Sequence, residues 1–140
     1  MVACRPRWSV TLEREGGDKP AMVEIGRGLR RMGFSLLATK GTAAALAAAG
    51  VEVRAVNKVM EGRPHIIDAL KNDEVQLIFN TVEGATAIAD SYHLRREALL
   101  SRTPYYTTVA GARASVEAIR AIQAGSLDVR PLQSYFKGLF

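Results

Sequence analysis

Apolar positions along this chain recur in two rhythms that take turns. In "RWSVTLE", Trp8, Val10 and Leu12 fall on one side at period two, the pattern of a strand with one buried face. The glycines and proline of "EGGDKP" interrupt it. From Pro20 the period changes: Met22, Ile25, Leu29 and Met32 follow at spacings of three, four and three, one stripe of a helix opened by proline and closed by Gly33. "FSLLAT" then reads as a second strand, nearly continuous in its hydrophobicity as buried strands of parallel sheets are.

The alternation continues. "KGTAAALAAAG" is a helix of alanines, the best helix formers, stopped by Gly50. "VEVRAV" predicts a third strand with Val51, Val53 and Ala55 on one face, and "HIIDALKN" a short helix with Ile66, Ile67 and Leu70 inward. "VQLIFNT" reads as a central strand. "GATAIADSYHLRREALLSR" is mostly helix, with Leu94, Ala98 and Leu99 packing and Arg95, Arg96 and Arg102 facing out. "TPYYTTV" is a fifth strand and "GARASVEAIRAIQAG" a last helix presenting Val116, Ile119 and Ile122, while the tail from Ser126 has no clear period. Strands alternating with helices imply an α/β fold, a small doubly wound and mostly parallel five-stranded sheet with helices on both faces. With neither repeat nor linker in view, residues 1–140 are expected to form a single domain.

Composition narrows the function classes. The 140 residues are 48% hydrophobic and 24% charged, ordinary for a globular chain. The net charge of +5 is spread over the sequence without a basic block, and only 6% of residues are aromatic, which points away from nucleic acid and toward small anions or a solvated basic face. The uncharged stretch from Gly41 to Val51 is too short to span a bilayer, and the N-terminus has no apolar signal core. A lone cysteine, Cys4, excludes an internal disulfide and suits a reducing, cytoplasmic setting; its place beside the terminus argues against a catalytic thiol.

Ligands of such sheets bind beyond the carboxyl ends of the strands, so the residues after each strand carry the chemistry. These are Asp18-Lys19, Thr39-Lys40-Gly41-Thr42, Asn57-Lys58, Asn80-Thr81 and Thr107-Thr108. Lysines and hydroxyls thus collect beside a helix N-terminus near Thr42, an arrangement suited to phosphate. The plainer alternative is that Thr39 and Thr42 cap the helix while the lysines are solvated. In "VNKVMEGRPHIIDALKN", His65 is either a general base or, more commonly at a helix start, a capping or packing residue; His93 reads as structural. No metal cluster, P-loop, nucleophile elbow or GxGxxG is present, so no catalytic set, metal or cofactor is expected.

The runs "GDKP", "GFSLLATKGTAAALAAAGVEV", "VNKVMEGRPHIIDALKN", "LIFNT", "DSYHLRREAL" and "YYTT" together resemble the C-terminal allosteric domain of the carbamoyl-phosphate synthase large subunit, a branch of the methylglyoxal-synthase-like family. The similarity covers a core of about 17–125. The resemblance implies a regulatory domain of an ATP-dependent ligase that makes carbamoyl phosphate for pyrimidine and arginine synthesis. Its partners would be the catalytic remainder of that subunit and, through it, the glutaminase small subunit. It implies nucleotide effectors, UMP inhibiting and IMP activating, with their phosphate on Lys19, Thr39, Thr42 and Lys58 and their base and ribose near Asn80 and Thr81. Ornithine would touch Tyr105 and Thr107, with most of its ligands on the neighbouring catalytic domain, so the chain alone should bind it weakly.

The same resemblance bears on a lyase alternative. Methylglyoxal synthases carry a catalytic aspartate in a Gly-Gly-Asp loop, and the matching "GRP" here places Pro64 there, which has no acid–base group. Two departures stand out: Val82 replaces a hydroxyl of some relatives, and "MVACRPRWSVTLERE" differs from the usual first strand and its lead-in. A third reading is a docking module with a vestigial pocket.

Overall fold

The structure, a computed structural model, describes residues 9–13, 19–81, 89, 91–125 and 128–136. Of the expectations above, Trp8, Asp18, Val82 and residues 84–88 and 90 of the fourth helix lie outside these, as do the side chains of the first strand.

The elements alternate as the two periods predict: β1 (Ser9–Glu13), α1 (Lys19–Arg31), β2 (Ser35–Thr39), α2 (Lys40–Ala48), β3 (Arg54–Val56), a 3-10 turn (Val59–Glu61), α3 (Ile66–Lys71), β4 (Leu77–Asn80), α4 (Tyr92–Leu100), β5 (Tyr105–Tyr106), α5 (Val109–Ala124) and a second 3-10 segment (Leu132–Phe136). The strands form one sheet in the order β3-β2-β1-β4-β5, every pairing parallel. The chain moves outward from β1 through β2 to β3, then crosses to β4 and β5 on the other side. With right-handed crossovers, that reversal sends the helices to opposite faces.

The core obeys this split. On one face Met22, Ile25 and Leu29 of α1, Ala43 and Leu46 of α2 and Ala112 and Val116 of α5 meet Leu36, Ala38, Leu77 and Phe79 of the sheet. On the other, Ile66, Ala69 and Leu70 of α3 and Leu94 and Ala98 of α4 meet Leu37 and Ile78. Neighbours along β2 and β4 therefore serve different layers, which is why "FSLLAT" and "LIFNT" are apolar without alternation. Gly33 (φ 92°) and Gly50 (φ 74°) end α1 and the turn after α2 in the left-handed region, where a Cβ would be strained.

Four expectations need correction. The third strand is paired only over Arg54–Val56, and Ala55 is exposed, because β3 is the sheet's edge and its one neighbour is β2. Leu99 is 79% exposed: Leu94 and Ala98 take the inward stripe, and the next residue sits 100° further round the helix. Arg95 leans inward rather than out, its guanidinium 5.8 Å from the centre of the Tyr105 ring. Ile122 is half exposed near the end of α5, whereas Val116 is buried.

Candidate functional site

Because all pairings are parallel, the carboxyl ends of the strands share one edge. Leu12 is in register with both Ala38 and Phe79, and Glu13 with Asn80, so Thr39 and Asn80 stand level on either side of β1. At about 4.8 Å per strand they are roughly 10 Å apart. Both continue the face that carries Leu37 and Ile78, two residues behind each. The crossover direction reverses between β1 and β4, and such switch points form the crevices in which these sheets take ligands.

Thr39 is 3% exposed and Thr42 2%. Thr39 holds the N-cap position of α2 with extended backbone (φ −64°, ψ 155°), yet its hydroxyl makes no capping hydrogen bond. The plain capping role weighed for Thr39 is therefore not the one it has. The first N–H groups of α2, from Lys40 to Thr42, open at the same edge. Lys40 pairs loosely with Glu61, 3.6 Å from Nζ to Oε2.

Lys58 is half-buried and leads into the 3-10 turn, next to the end of β3. The Glu61 carboxylate accepts its backbone N–H at 2.9 Å, and this bond, aided by the Lys40 and Lys58 charges, holds the Glu61 carboxyl below its usual range. Asn57 closes the rest of the loop: its Nδ2 donates to the Gly62 carbonyl at 3.3 Å and its own carbonyl accepts from the Ile66 N–H at 3.2 Å. Pro64 follows a cis Arg63–Pro64 bond and is exposed.

His65 occupies the N-cap of α3. Asp68 accepts its backbone N–H at 2.9 Å, lies 3.3 Å from its Nδ1 and pairs with Arg63 at 3.1 Å. The backbone hydrogen bond, followed by the Arg63 and His65 charges, holds the Asp68 carboxyl below its usual range. His65 thus sits at a helix start beside Asp68, its buried Nδ1 without a hydrogen-bond partner among the described residues, and lines a cavity beside β3 with Asn57, Pro64 and Asp68. Among the described residues no group of three or more His, Cys, Asp or Glu is placed to hold a metal, and no helix is long and apolar enough to cross a membrane.

At β4 the polar end is buried. Asn80 is 0% exposed and Thr81 3%. Asn80 Nδ2 donates to the Tyr105 hydroxyl at 2.6 Å, while its Oδ1 has no hydrogen-bond partner among the described residues. Of the eight residues singled out in the sequence, Thr39, Thr42, Asn80 and Thr81 flank the switch point. Lys58 borders it past β3, and Lys19 is exposed at the first position of α1. Thr107 is exposed past β5, at the opposite margin of the sheet from Lys58. Tyr105 is half-buried and, through its hydroxyl, belongs with Asn80.

That bond and the Arg95–Tyr105 contact escape the sequence, since they join residues whose proximity depends on strand register. The Glu61 and Asp68 bonds were signalled by an acid three residues beyond Lys58 and His65, the capping-box spacing.

These features define a doubly wound parallel α/β domain whose polar strand ends converge on a switch point. Residues 21–107 match the MGS-like domain, and the chain belongs to that family. The carbamoyl phosphate synthase large chain of Mesorhizobium japonicum is 52% identical over 119 residues, 85% of this chain and 10% of that one. That of Brucella suis is 48% identical over 136 residues, 91% of this chain and 12% of the relative. The chain therefore spans about a tenth of the length of these relatives. Among solved structures, methylglyoxal synthase from Elizabethkingia anophelis superposes with a TM-score of 0.66 at 17% identity, over 79% of this chain and 77% of the other, a likeness of fold.

Proposed function

We propose that this chain is a single-domain regulatory unit of a carbamoyl-phosphate synthase large subunit that binds nucleoside monophosphates at the switch-point crevice. The observation that carries the reading is the level placement of Thr39 and Asn80 across β1, with the N-terminus of α2 opening beside them. Helix N–H groups and buried hydroxyls suit a phosphate, and lysines neutralise it. Thr39, Thr42, Lys58 and Lys19 take the phosphate, while Asn80 and Thr81 face ribose and base. The roughly 50% identity to carbamoyl phosphate synthase large chains supports the assignment to that enzyme.

In this reading UMP inhibits and IMP activates, both through one site. The catalytic remainder of the large subunit and, through it, the glutaminase small subunit are the partners, in the cytoplasm. Ornithine meets Tyr105 and Thr107 but needs the neighbouring catalytic domain for tight binding. The chain itself is non-catalytic, because exposed Pro64 has no proton to give or take where a synthase needs an aspartate. Incubation with dihydroxyacetone phosphate should yield no methylglyoxal above the uncatalysed rate.

The test is a thermal melt with UMP, IMP or inorganic phosphate. A ligand that binds only the folded state raises the midpoint in a saturable way. No shift with either nucleotide at millimolar concentration would sink the proposal. In that case a docking role gains, favoured by the exposure of Leu99 (79%) and Leu100 (66%) on the outer side of α4.

A further inference from the structure

We infer that Tyr105 is a positioning residue for the crevice: its hydroxyl holds one end of the Asn80 amide, leaving the other end as the contact that separates nucleotides from bare phosphate. This rests on the functional reading above and names the device that gives the site its selectivity.

The geometry begins with register. Ile78 of β4 pairs with Tyr105 of β5, and Phe79 with Tyr106. Paired residues share a face and successive ones alternate, so Tyr105, Ile78 and Asn80 all lie toward α3 and α4. Tyr106 lies on the other side, its ring centroid 5.5 Å from that of Phe79. Tyr105 and Asn80 are diagonal neighbours, a separation a tyrosine spans. The Arg95 guanidinium over the Tyr105 ring sets where the hydroxyl ends, and the hydroxyl receives Asn80 Nδ2 at 2.6 Å.

An amide wholly buried in a sheet ordinarily satisfies both ends. Here Nδ2 is spent on Tyr105 and Oδ1 is left without a partner among the described residues, inside a residue 0% exposed. An unpaired buried acceptor is costly, and that cost is recovered when a donor reaches it. The group that satisfies Oδ1 is a hydroxyl or N–H, which a nucleoside extends to Asn80 from its ribose or base, whereas a bare phosphate seated at Thr39, roughly 10 Å away across β1, does not reach it. Without the Tyr105 hydroxyl the amide is free to turn, and its Nδ2 must find its own partner.

The experiment is Tyr105→Phe in the 140-residue chain, which keeps the ring beneath Arg95 and removes only the hydroxyl. Calorimetric titration with UMP, IMP and inorganic phosphate is run on both proteins, with the Asn80 side-chain amide followed by NMR. Losing one buried hydrogen bond to the ligand predicts roughly a tenfold weaker nucleotide affinity. Phosphate affinity stays within about twofold, since its partners lie across β1. The protected Asn80 amide proton should also disappear in the variant.

Unchanged nucleotide affinity, or an equal loss for nucleotides and phosphate as from a general structural defect, overturns the inference while leaving the functional reading intact. Failure of the wild-type chain to bind either nucleotide overturns that reading, and the selectivity role with it.

Discussion

Phe79 offers a quantitative test of the layer assignment. It is 0% exposed, belongs to the cluster of Met22, Ile25 and Leu29, and its ring meets Tyr106 at a centroid distance of 5.5 Å and an interplanar angle of 49°. Truncating such a phenylalanine to alanine costs about 3–5 kcal/mol, lost transfer energy plus the cavity left behind. The tilted ring pair supplies about 0.5–1.5 kcal/mol of that. A domain of this size has roughly 5–15 kcal/mol in all, so Phe79→Ala removes a large fraction without necessarily unfolding the chain. With a urea slope near 2 kcal/mol per molar, a loss of about 4 kcal/mol lowers the unfolding midpoint by roughly 2 M at unchanged slope. Leu99→Ala is the control. At 79% exposure it should cost within about 0.5 kcal/mol, although the helical pattern alone assigns Leu99 to the core. A Phe79→Ala shift below roughly 0.5 M, or a Leu99→Ala loss as large as that of Phe79→Ala, would refute the packing argument.

Two further perturbations address charge. Glu61 and Asp68, each accepting a backbone N–H, and Glu74, held by Arg54 at 2.6 Å, are kept below ordinary carboxyl values of 4.5, 3.8 and 4.5. Their contribution is therefore full above pH 4.5 and is lost as pH falls through the depressed values. Melting midpoints should be flat on this account near pH 6 and fall toward pH 3, and Asp68→Asn should flatten that acid limb; an acid limb of unchanged steepness contradicts the assignment. Lys58→Ala removes the charged phosphate partner of the proposed site, for which about 1.5–3 kcal/mol predicts roughly 10- to 150-fold weaker binding. Calorimetry should show UMP, IMP and phosphate all affected, and full retained affinity would remove Lys58 from the site.

Much of the fold is legible along the chain because each layer has its own rhythm. Met22, Ile25 and Leu29 announce α1 at helical spacing, and all three are buried. The apolar residues 36–38 of β2 and 77–79 of β4 announce strands covered on both sides. What failed was local burial at the margins. Ala55 sits on an edge strand and Ile122 near the end of a helix, places where an apolar residue has no layer above it. Leu99 shows the limit of periodicity itself. Leu94, Ala98 and Leu99 fit a helical stripe of either two or three, and only the seat of α4 on Ala69 and Ile78 picks the narrower one.

The site divides along a similar line. That Thr39, Lys58 and Asn80 share one edge follows from parallel strands alone, because parallel pairing puts every carboxyl end on the same side. The order of strands adds what a strand-end inventory lacks: it parts Thr107 from Lys58 and makes Thr39 and Asn80 neighbours across β1. Register adds the last step, since Asn80 and Tyr105, 25 residues apart, meet only because Ile78 pairs with Tyr105. Slip that pairing by one residue and Tyr105 turns to the opposite face, leaving both ends of the Asn80 amide unpaired. The polar residues at the strand ends are thus written in residue types, but the Asn80–Tyr105 bond depends on the alignment of a two-residue edge strand.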